Sequence, residues 1–302
     1  MAERIKPMIA KKKLIVIVNP VSGVRHHRLS RLRANIFSML DLNVFIPEIV
    51  ITNKAGHARE ITAEGLRAGV KYFLAAGGDG TVNEVASVLS GTDAVMGILP
   101  SGSGNGLAHH LGIPVSMDEA LKLFNRQHIS RIDTCQVNNR FFVSIAGIGF
   151  DARVARQFAQ NRRRGFITYA QLVFREYFNY RPKKYLLFFD GREIRTRAFF
   201  ISFANSGQFG YNTMIAPEAS ITDGLIDVCI VQKPPLSAFP GIFRLVLKHR
   251  INRSRYLTTY QAARIYVKRN KGKTVNIDGE AVRMGKELNI QLIPANLNVV
   301  VP

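Results

Sequence analysis

The sequence predicts an α/β protein in two parts: an N-terminal parallel sheet covered by helices, then a C-terminal antiparallel β-sandwich. Three observations carry this. Apolar runs alternate with helix-period segments from residue 14 to about 130. Glycine-bearing turns follow three of those runs. From about Arg131 the texture changes to short β-rich runs separated by turn residues. Alternation argues for a parallel sheet with helical crossovers. Closely spaced short strands argue for a sandwich.

Leu14 to Val18 reads as the first strand. Leu29 to Leu40 reads as a helix, with Leu29, Leu32, Ile36 and Leu40 on one side. Val44 to Ile51 is a second strand and His57 to Ala68 a helix. The runs Val70 to Ala75 and Val95 to Leu99 read as buried strands, leading into helical patterns at Glu84 to Leu89 and Leu107 to Leu111. Met117 to Asn125 closes this part as a helix, with Met117, Leu121 and Phe124 on one face. In the second part, strands are expected at Phe141 to Ala146, Tyr185 to Phe189, Arg197 to Ala204, Leu225 to Val231, Ala263 to Val267 and Val275 to Ile277. Helical insertions are expected at Ala152 to Phe178 and Ala238 to Arg250. The domains are therefore placed at residues 12–130 and 131–289.

The glycine turns are the most informative segments. One is Gly77-Gly78-Asp79-Gly80-Thr81-Val82-Asn83-Glu84, and another is Pro100-Ser101-Gly102-Ser103-Gly104-Asn105. Glycines let backbone N–H groups turn toward a phosphate, and a helix N-terminus adds partial positive charge. Asp79 supplies a carboxylate suited to a Mg²⁺ that bridges phosphates. Ser22-Gly23 marks a third turn after the first strand. Ligands of open parallel sheets bind at the carboxyl ends of strands, where all three turns fall.

Lys and Arg total 42 against 21 Asp and Glu, a formal net charge of +21. That excess implies an anionic partner: phosphates, an anionic bilayer or nucleic acid. No helix-turn-helix, zinc finger or RNA-binding aromatic motif accompanies it. The two cysteines, Cys135 and Cys229, lie in apolar runs and cannot make a disulfide framework. A cytoplasmic setting fits, and no segment has the length and apolarity of a membrane span.

Asn19-Pro20-Val21-Ser22-Gly23, the Gly77-to-Glu84 segment and the Pro100-to-Ala108 segment resemble the catalytic domain shared by diacylglycerol kinases and sphingosine kinases. Asp223-Gly224-Leu225-Ile226-Asp227 and Asp278-Gly279-Glu280 fit the same family in the same order, so the resemblance spans nearly the whole chain. It implies an interdomain cleft and a last strand, within residues 290–302, that returns to the first domain. It implies ATP, Mg²⁺ and phosphorylation of a hydroxyl on a diacylglycerol or sphingoid base, by a protein that visits the inner face of the membrane from the aqueous side. The alternatives are an NAD kinase-like enzyme, which shares the Gly77-to-Gly80 motif, and a basic nucleic-acid-binding protein. The sequence leaves oligomeric state open, a homodimer included.

Residue by residue, the resemblance implies a nucleotide site of Asn19, Ser22, Gly77, Gly78, Gly80, Thr81, Glu84, Gly102, Ser103, Gly104, Asn105 and Glu280, with Asp79 acting through Mg²⁺. Glu84 is alternatively an ordinary first-turn acid. Asp278 is the group expected to take the acceptor hydroxyl's proton, although Asp-Gly is also a standard hairpin turn. Asp151 is a contact for acceptor hydroxyl or amine groups, or a helix N-cap. Arg162, Arg163 and Arg164 face transferred phosphate or bilayer headgroups. Asp223 and the Leu225 main chain hold a structural Mg²⁺, or form a capped turn. Gly147-Ile148-Gly149-Phe150-Asp151-Ala152 and Gly272-Lys273-Thr274 imitate nucleotide motifs without their βαβ or loop-to-helix context, and both are set aside. Leu236 to Arg250 is a basic amphipathic segment that either lies on a membrane or packs on the sandwich.

Overall fold

The structure is a computed structural model that describes residues 11–21, 26–161, 166–208 and 214–302. Its first part runs β1 (Lys12–Val18), α1 (His26–Met39), β2 (Phe45–Ile51), α2 (His57–Arg67), β3 (Tyr72–Gly77), α3 (Asp79–Leu89), β4 (Val95–Pro100), α4 (Gly106–His110) and α5 (Met117–Arg126). The strands stand in the order β2-β1-β3-β4, all parallel. The last five residues of β1 and all six of β4 are buried, as strands covered on both faces must be. Leu32 and Ile36 of α1 and Leu121 and Phe124 of α5 enter the same core.

The second part adds β5 (Ile129–Val137), β6 (Arg140–Phe142), β7 (Ile145–Gly149), α6 (Phe150–Gln160), α7 (Phe166–Asn179), β8 (Lys183–Phe189), β9 (Arg192–Ala198), β10 (Phe200–Ala204), β11 (Ile226–Val231), α8 (Phe239–Leu247), β12 (Leu257–Ala262), β13 (Arg264–Arg269), β14 (Lys273–Ile277), β15 (Glu280–Met284) and β16 (Glu287–Val300). One sandwich sheet has the order β12-β11-β10-β7-β14-β15, antiparallel throughout. The other is continuous with the parallel sheet. β16 joins them: its first half pairs with β13, and Asn298 and Val299 pair in parallel with Val95 and Met96 of β4. β5 runs antiparallel along β16, with a register break between Ile293 and Leu297.

The fold class matches expectation, and the differences have local causes. The run Phe141 to Ala146 is not one strand but breaks into β6 and β7. The N–H groups of Val143, Ser144 and Ile145 turn to the Asp278 carboxylate. The run Arg197 to Ala204 also splits, because the chain changes sheets at Phe199: β9 pairs with β8, while β10 pairs with β7 and β11. The helix expected from Glu84 starts five residues earlier, at Asp79. The first helical insertion is two helices, and the second is a short 3₁₀ turn at Leu236–Ala238 followed by α8. Strands β5, β12 and β15 were not expected. Their exposed edges carry polar residues that hide the apolar period.

Candidate active site

The ends of β1, β3 and β4 lie side by side, so the residues after them converge. Asn19 Nδ2 donates to Thr81 Oγ1 at 3.0 Å, and Asn19 Oδ1 accepts from Val21 N at 3.0 Å. Asn19 thus fastens the first turn to the start of α3. Ser22 and Arg162 to Arg164 lie outside the described residues.

The two glycine segments form one unit. Asp79 Oδ1 accepts from Gly106 N at 2.6 Å, so the aspartate of one turn caps the helix that follows the other. Gly104 sits against the same carboxylate: a Cβ there would lie 2.4 Å from Asp79 Oδ2. Asn105 closes its own turn, donating to Gly102 O at 2.8 Å and accepting from Gly102 N at 3.0 Å. Ser103 and Gly80 stay exposed at the rim. Burial pushes the Asp79 carboxyl above its ordinary value, and the Gly106 N–H opposes that shift. At the N-terminus of α3, Gly78 provides no side-chain cap, so its first N–H groups face the turn.

Glu84 does something the sequence did not suggest. Its Oε1 accepts from Gly56 N at 2.8 Å and its Oε2 from Ala58 N at 3.1 Å. The carboxylate of α3 therefore caps the N-terminus of α2.

From the sandwich side, Asp278 and Gly279 form the two-residue turn of the β14–β15 hairpin. Their φ angles are +45° and +88°, the mirror-image turn that suits strand twist. The Asp278 side chain reaches back to the β6–β7 break and to α3. Its Oδ1 accepts from Ser144 N (3.0 Å) and Ile145 N (2.8 Å), and its Oδ2 from Val143 N (2.9 Å) and Asn83 Nδ2 (2.8 Å). Four donors fill the acceptor capacity of one carboxylate. Burial pushes this carboxyl up, and the four donors work against the shift. In this geometry no lobe of Asp278 is free for an acceptor hydroxyl, which departs from the proton-accepting role expected of it. Glu280 stands exposed at the start of β15.

Asp151 lies one strand residue away from this network. Its Oδ2 accepts from Asn276 Nδ2 at 2.9 Å, and Asn276 Oδ1 accepts from Gly279 N at 3.0 Å. The N-cap of α6 is Gly149, so Asp151 is a first-turn acid rather than the cap. Gly147 admits this packing, since a Cβ there would meet Asp151 Oδ2 at 1.9 Å. Burial raises the Asp151 carboxyl to about 6, with the Asn276 bond opposing it. Such a group gains and loses a proton near neutral pH.

Asp223 is exposed, and its Oδ1 accepts from Leu225 N at 3.0 Å within its own turn. Nearby, Asp227 Oδ2 is buried without a hydrogen-bond partner among the described residues, and burial, then the Asp223 charge, push the Asp227 carboxyl up to about 6. Two carboxylates of like charge with an orphaned oxygen are compatible with a cation held by few protein ligands and several waters. Among the described residues, no three His, Cys, Asp or Glu side chains form a metal-holding cluster.

Three groups escaped the sequence reading. Asn83 supplies the cross-cleft bond to Asp278. Asp133 is buried and ties three segments, accepting from Gly224 N (2.8 Å) and, at the β16 register break, Ala295 N (2.7 Å). Asn205 donates to Asp133 O and Val143 O, and Gly207 N donates to His110 Nδ1 of α4 at 3.3 Å. Ser206 Oγ and Gln208 Oε1, on either side of Gly207, are buried with no hydrogen-bond partner among the described residues.

Residues 13–137 match the diacylglycerol kinase catalytic domain, and residues 144–301 match the YegS C-terminal NAD kinase beta sandwich-like domain. The chain belongs to this family of diacylglycerol kinase catalytic domains joined to a YegS-type sandwich. Among similar proteins, one from Enterobacter sp. (strain 638) named "Probable lipid kinase YegS-like" is 29% identical over 278 residues, covering 90% of this chain and 91% of that one. A Mycobacterium tuberculosis protein named "Diacylglycerol kinase" is 28% identical over 307 residues, 96% of this chain and 95% of that one. A crystal structure of a diacylglycerol kinase from Bacillus anthracis str. Sterne superposes with a TM-score of 0.75 at 21% identity, covering 96% and 97% of the two chains. That superposition speaks to the fold. The family's two domains are thus both present here, in order, with the turns of one facing the hairpin of the other.

Proposed function

We propose that this protein is a lipid kinase that transfers the γ-phosphate of Mg-ATP to a hydroxyl of a diacylglycerol or sphingoid base. The observation that carries the reading is the meeting of the Asp79 turn, on α3, with the Asp278 hairpin of the sandwich through Asn83. Family membership supplies the kinase chemistry, and the facing loops supply a place for it.

In this reading the turns at Asn19, Gly77 to Gly80 and Gly102 to Asn105 hold the nucleotide phosphates, with Thr81 and the uncapped start of α3 beneath them. Asp79 is the carboxylate nearest those phosphates, and Mg²⁺ bound there would neutralise charge on the transferred group. Asp223 and the Leu225 carbonyl would hold a second, structural Mg²⁺. Asp278, with its donors already in place, acts as a positioning residue that holds the Val143–Ile145 segment and α3 together. Asp151, raised to about 6 and bonded through only one oxygen among the described residues, is the acceptor-side carboxylate. Phosphoryl transfer asks more of positioning than of a strong base.

The substrate resides in a bilayer, and no helix among the described residues is long and apolar enough to cross one. A peripheral protein at the cytoplasmic face of an anionic membrane fits the charge of +21.

Purified protein with labelled ATP, Mg²⁺ and a panel of lipids should label a diacylglycerol or a sphingoid base, and neither NAD nor DNA. Labelling of NAD alone would overturn the reading. In the same assay Asp151→Asn should lower turnover by ~10²–10⁴. Asp278→Asn should lose thermal stability as well as turnover, because its amide NH₂ would face backbone N–H donors.

A further inference from the structure

A cavity of about 860 Å³ opens on the sandwich, between α6, the start of β8 and the open end of the β14–β15 hairpin. Eight of its seventeen lining residues are Lys or Arg, and none is Asp or Glu. Two of the eight are occupied: Arg153 pairs with Glu176, and Arg269 donates to the carbonyls of Lys273, Met284 and Gly285. The other six are Arg156, Lys183, Lys184, Lys271, Lys273 and Arg283, and among the described residues none pairs with a carboxylate. Burial, then repulsion from Lys183, Lys271, Arg153 and Arg269, holds the Lys273 ammonium below its ordinary value. All six are exposed, and together they rim one open concavity.

The cavity is offset from the Asp278 network; Asp151 lies between its lining residues Gly149 and Arg153, with its carboxylate turned to Asn276. Gly149 lines it, at the far end of β7 from Ile145, whose N–H bonds Asp278. Four residues at about 3.3 Å each put it roughly 13 Å along the strand. Both motifs set aside in the sequence, Gly147 to Ala152 and Gly272-Lys273-Thr274, contribute to its wall through Gly149, Gly272, Lys273 and Thr274.

We propose that this cavity binds an anion carrying two or more phosphate groups. Concave walls focus the field of like charges, so a polyanion gains more here than on a flat surface. Arg forks and Lys ammonium groups match phosphate oxygens, and a terminal phosphate brings about 1.5–2 negative charges while a phosphodiester brings about one. Apart from glycines, the apolar lining is Ala159, Tyr180, Tyr185 and Ala281, without a long aliphatic side chain, so the site takes a headgroup or a free ion rather than a chain. The proposal goes beyond the kinase reading and does not depend on it.

The test compares wild type with Lys271→Gln/Lys273→Gln/Arg283→Gln and with a charge-matched control, Arg31→Gln/Arg33→Gln/Lys122→Gln, after checking that all three melt alike. Calorimetric titration with sodium tripolyphosphate probes the free ion. Co-sedimentation with phosphatidylcholine vesicles containing cardiolipin, which has two phosphates, probes the headgroup. A loss of affinity of at least tenfold in the cavity variant, with the control unchanged, supports the proposal, and the arm in which it occurs names the source. Equal behaviour of both variants, or no binding by wild type in either arm, overturns it. If the cavity variant melts early, Lys271→Gln and Arg283→Gln are tested singly, and each should weaken the same arm by several-fold. Lipid phosphorylation measured in parallel keeps a failure of this site distinct from a failure of the kinase reading.

Discussion

Asn83 Nδ2 lies 2.8 Å from Asp278 Oδ2, and this bond joins the first helix after the Asp79 turn to the sandwich hairpin, 195 residues later in the chain. Asn83 is a donor that only the folded chain brings to Asp278. Asn83→Ala should remove one of four donors from a half-buried carboxylate. Hydrogen bonds to charged groups contribute about 1.5–3 kcal/mol, so the melting temperature should fall by several degrees. Turnover should fall more than ATP affinity, because the phosphate turns keep their own bonds. Thermal melting together with ATP titration checks both parts. Wild-type turnover would mean that the two halves are aligned by other contacts.

Glu84→Ala should act on stability rather than on nucleotide binding. The carboxylate holds the N–H groups of Gly56 and Ala58 at the start of α2. Loss of a cap costs about 0.5–2 kcal/mol. Calorimetry should show that loss with ATP affinity unchanged within about twofold. An affinity loss of more than about tenfold, or 1.4 kcal/mol, would restore the nucleoside contact that the family resemblance implies.

The contrast between these two residues shows where sequence reasoning stopped. The strand-turn-helix units were legible because periodicity and glycine placement are local signals, and β1, β3 and β4 lie where the apolar runs end. The contact between the two turns was half legible: both were visible, but not that Asp79 would cap the helix of the other. Asn83, Asp133 and Asn205 were hidden because their partners are 62 to 195 residues away. A polar side chain carries no period that names a distant hydrogen-bond partner. The break between β6 and β7 was hidden for the same reason, since it exists to serve Asp278.

Membrane docking should depend on the joint surface of α7 and α8. Phe174, Phe243 and Leu247 are 65%, 64% and 64% exposed, and Tyr177 and Phe239 join the two helices with ring centroids 5.1 Å apart. Phe239, Phe243 and Leu247 recur every four residues on one side of α8, beside Arg244 and Lys248. The adjoining side packs through Ile242, Leu245 and Val246, so the helix both packs and presents an apolar stripe. Phe243→Ser/Leu247→Ser should keep the melting temperature and weaken binding to anionic vesicles by about tenfold or more, since each buried apolar side chain contributes about 1.5–3 kcal/mol. Vesicle flotation at low and high salt checks it. Unchanged flotation would assign the stripe to a protein partner instead.

The pH dependence of stability should carry the mark of Asp151. Its folded-state value of about 6 lies above the ordinary 3.8. Between those values the folded protein holds a proton that the unfolded chain has released. Stability from this group is therefore greatest below about pH 4 and declines as pH rises toward 6, by at most about 1.4 kcal/mol per pH unit. Asp227, also raised to about 6, adds a decline of the same sign. Asp151→Asn keeps the shape that Gly147 accommodates and can still accept the Asn276 N–H through its carbonyl oxygen. The variant should therefore be more stable than wild type at pH 7 and should show a flatter stability profile between pH 4 and 6. Its turnover should nevertheless fall, because the amide cannot take a proton from the acceptor hydroxyl. Denaturant melts at half-unit pH steps, read beside lipid phosphorylation at pH 7, separate the two effects. A variant with unchanged turnover and a flatter profile would leave Asp151 a buried structural acid. A variant with an unchanged profile would mean that the carboxyl is ionised across the whole range.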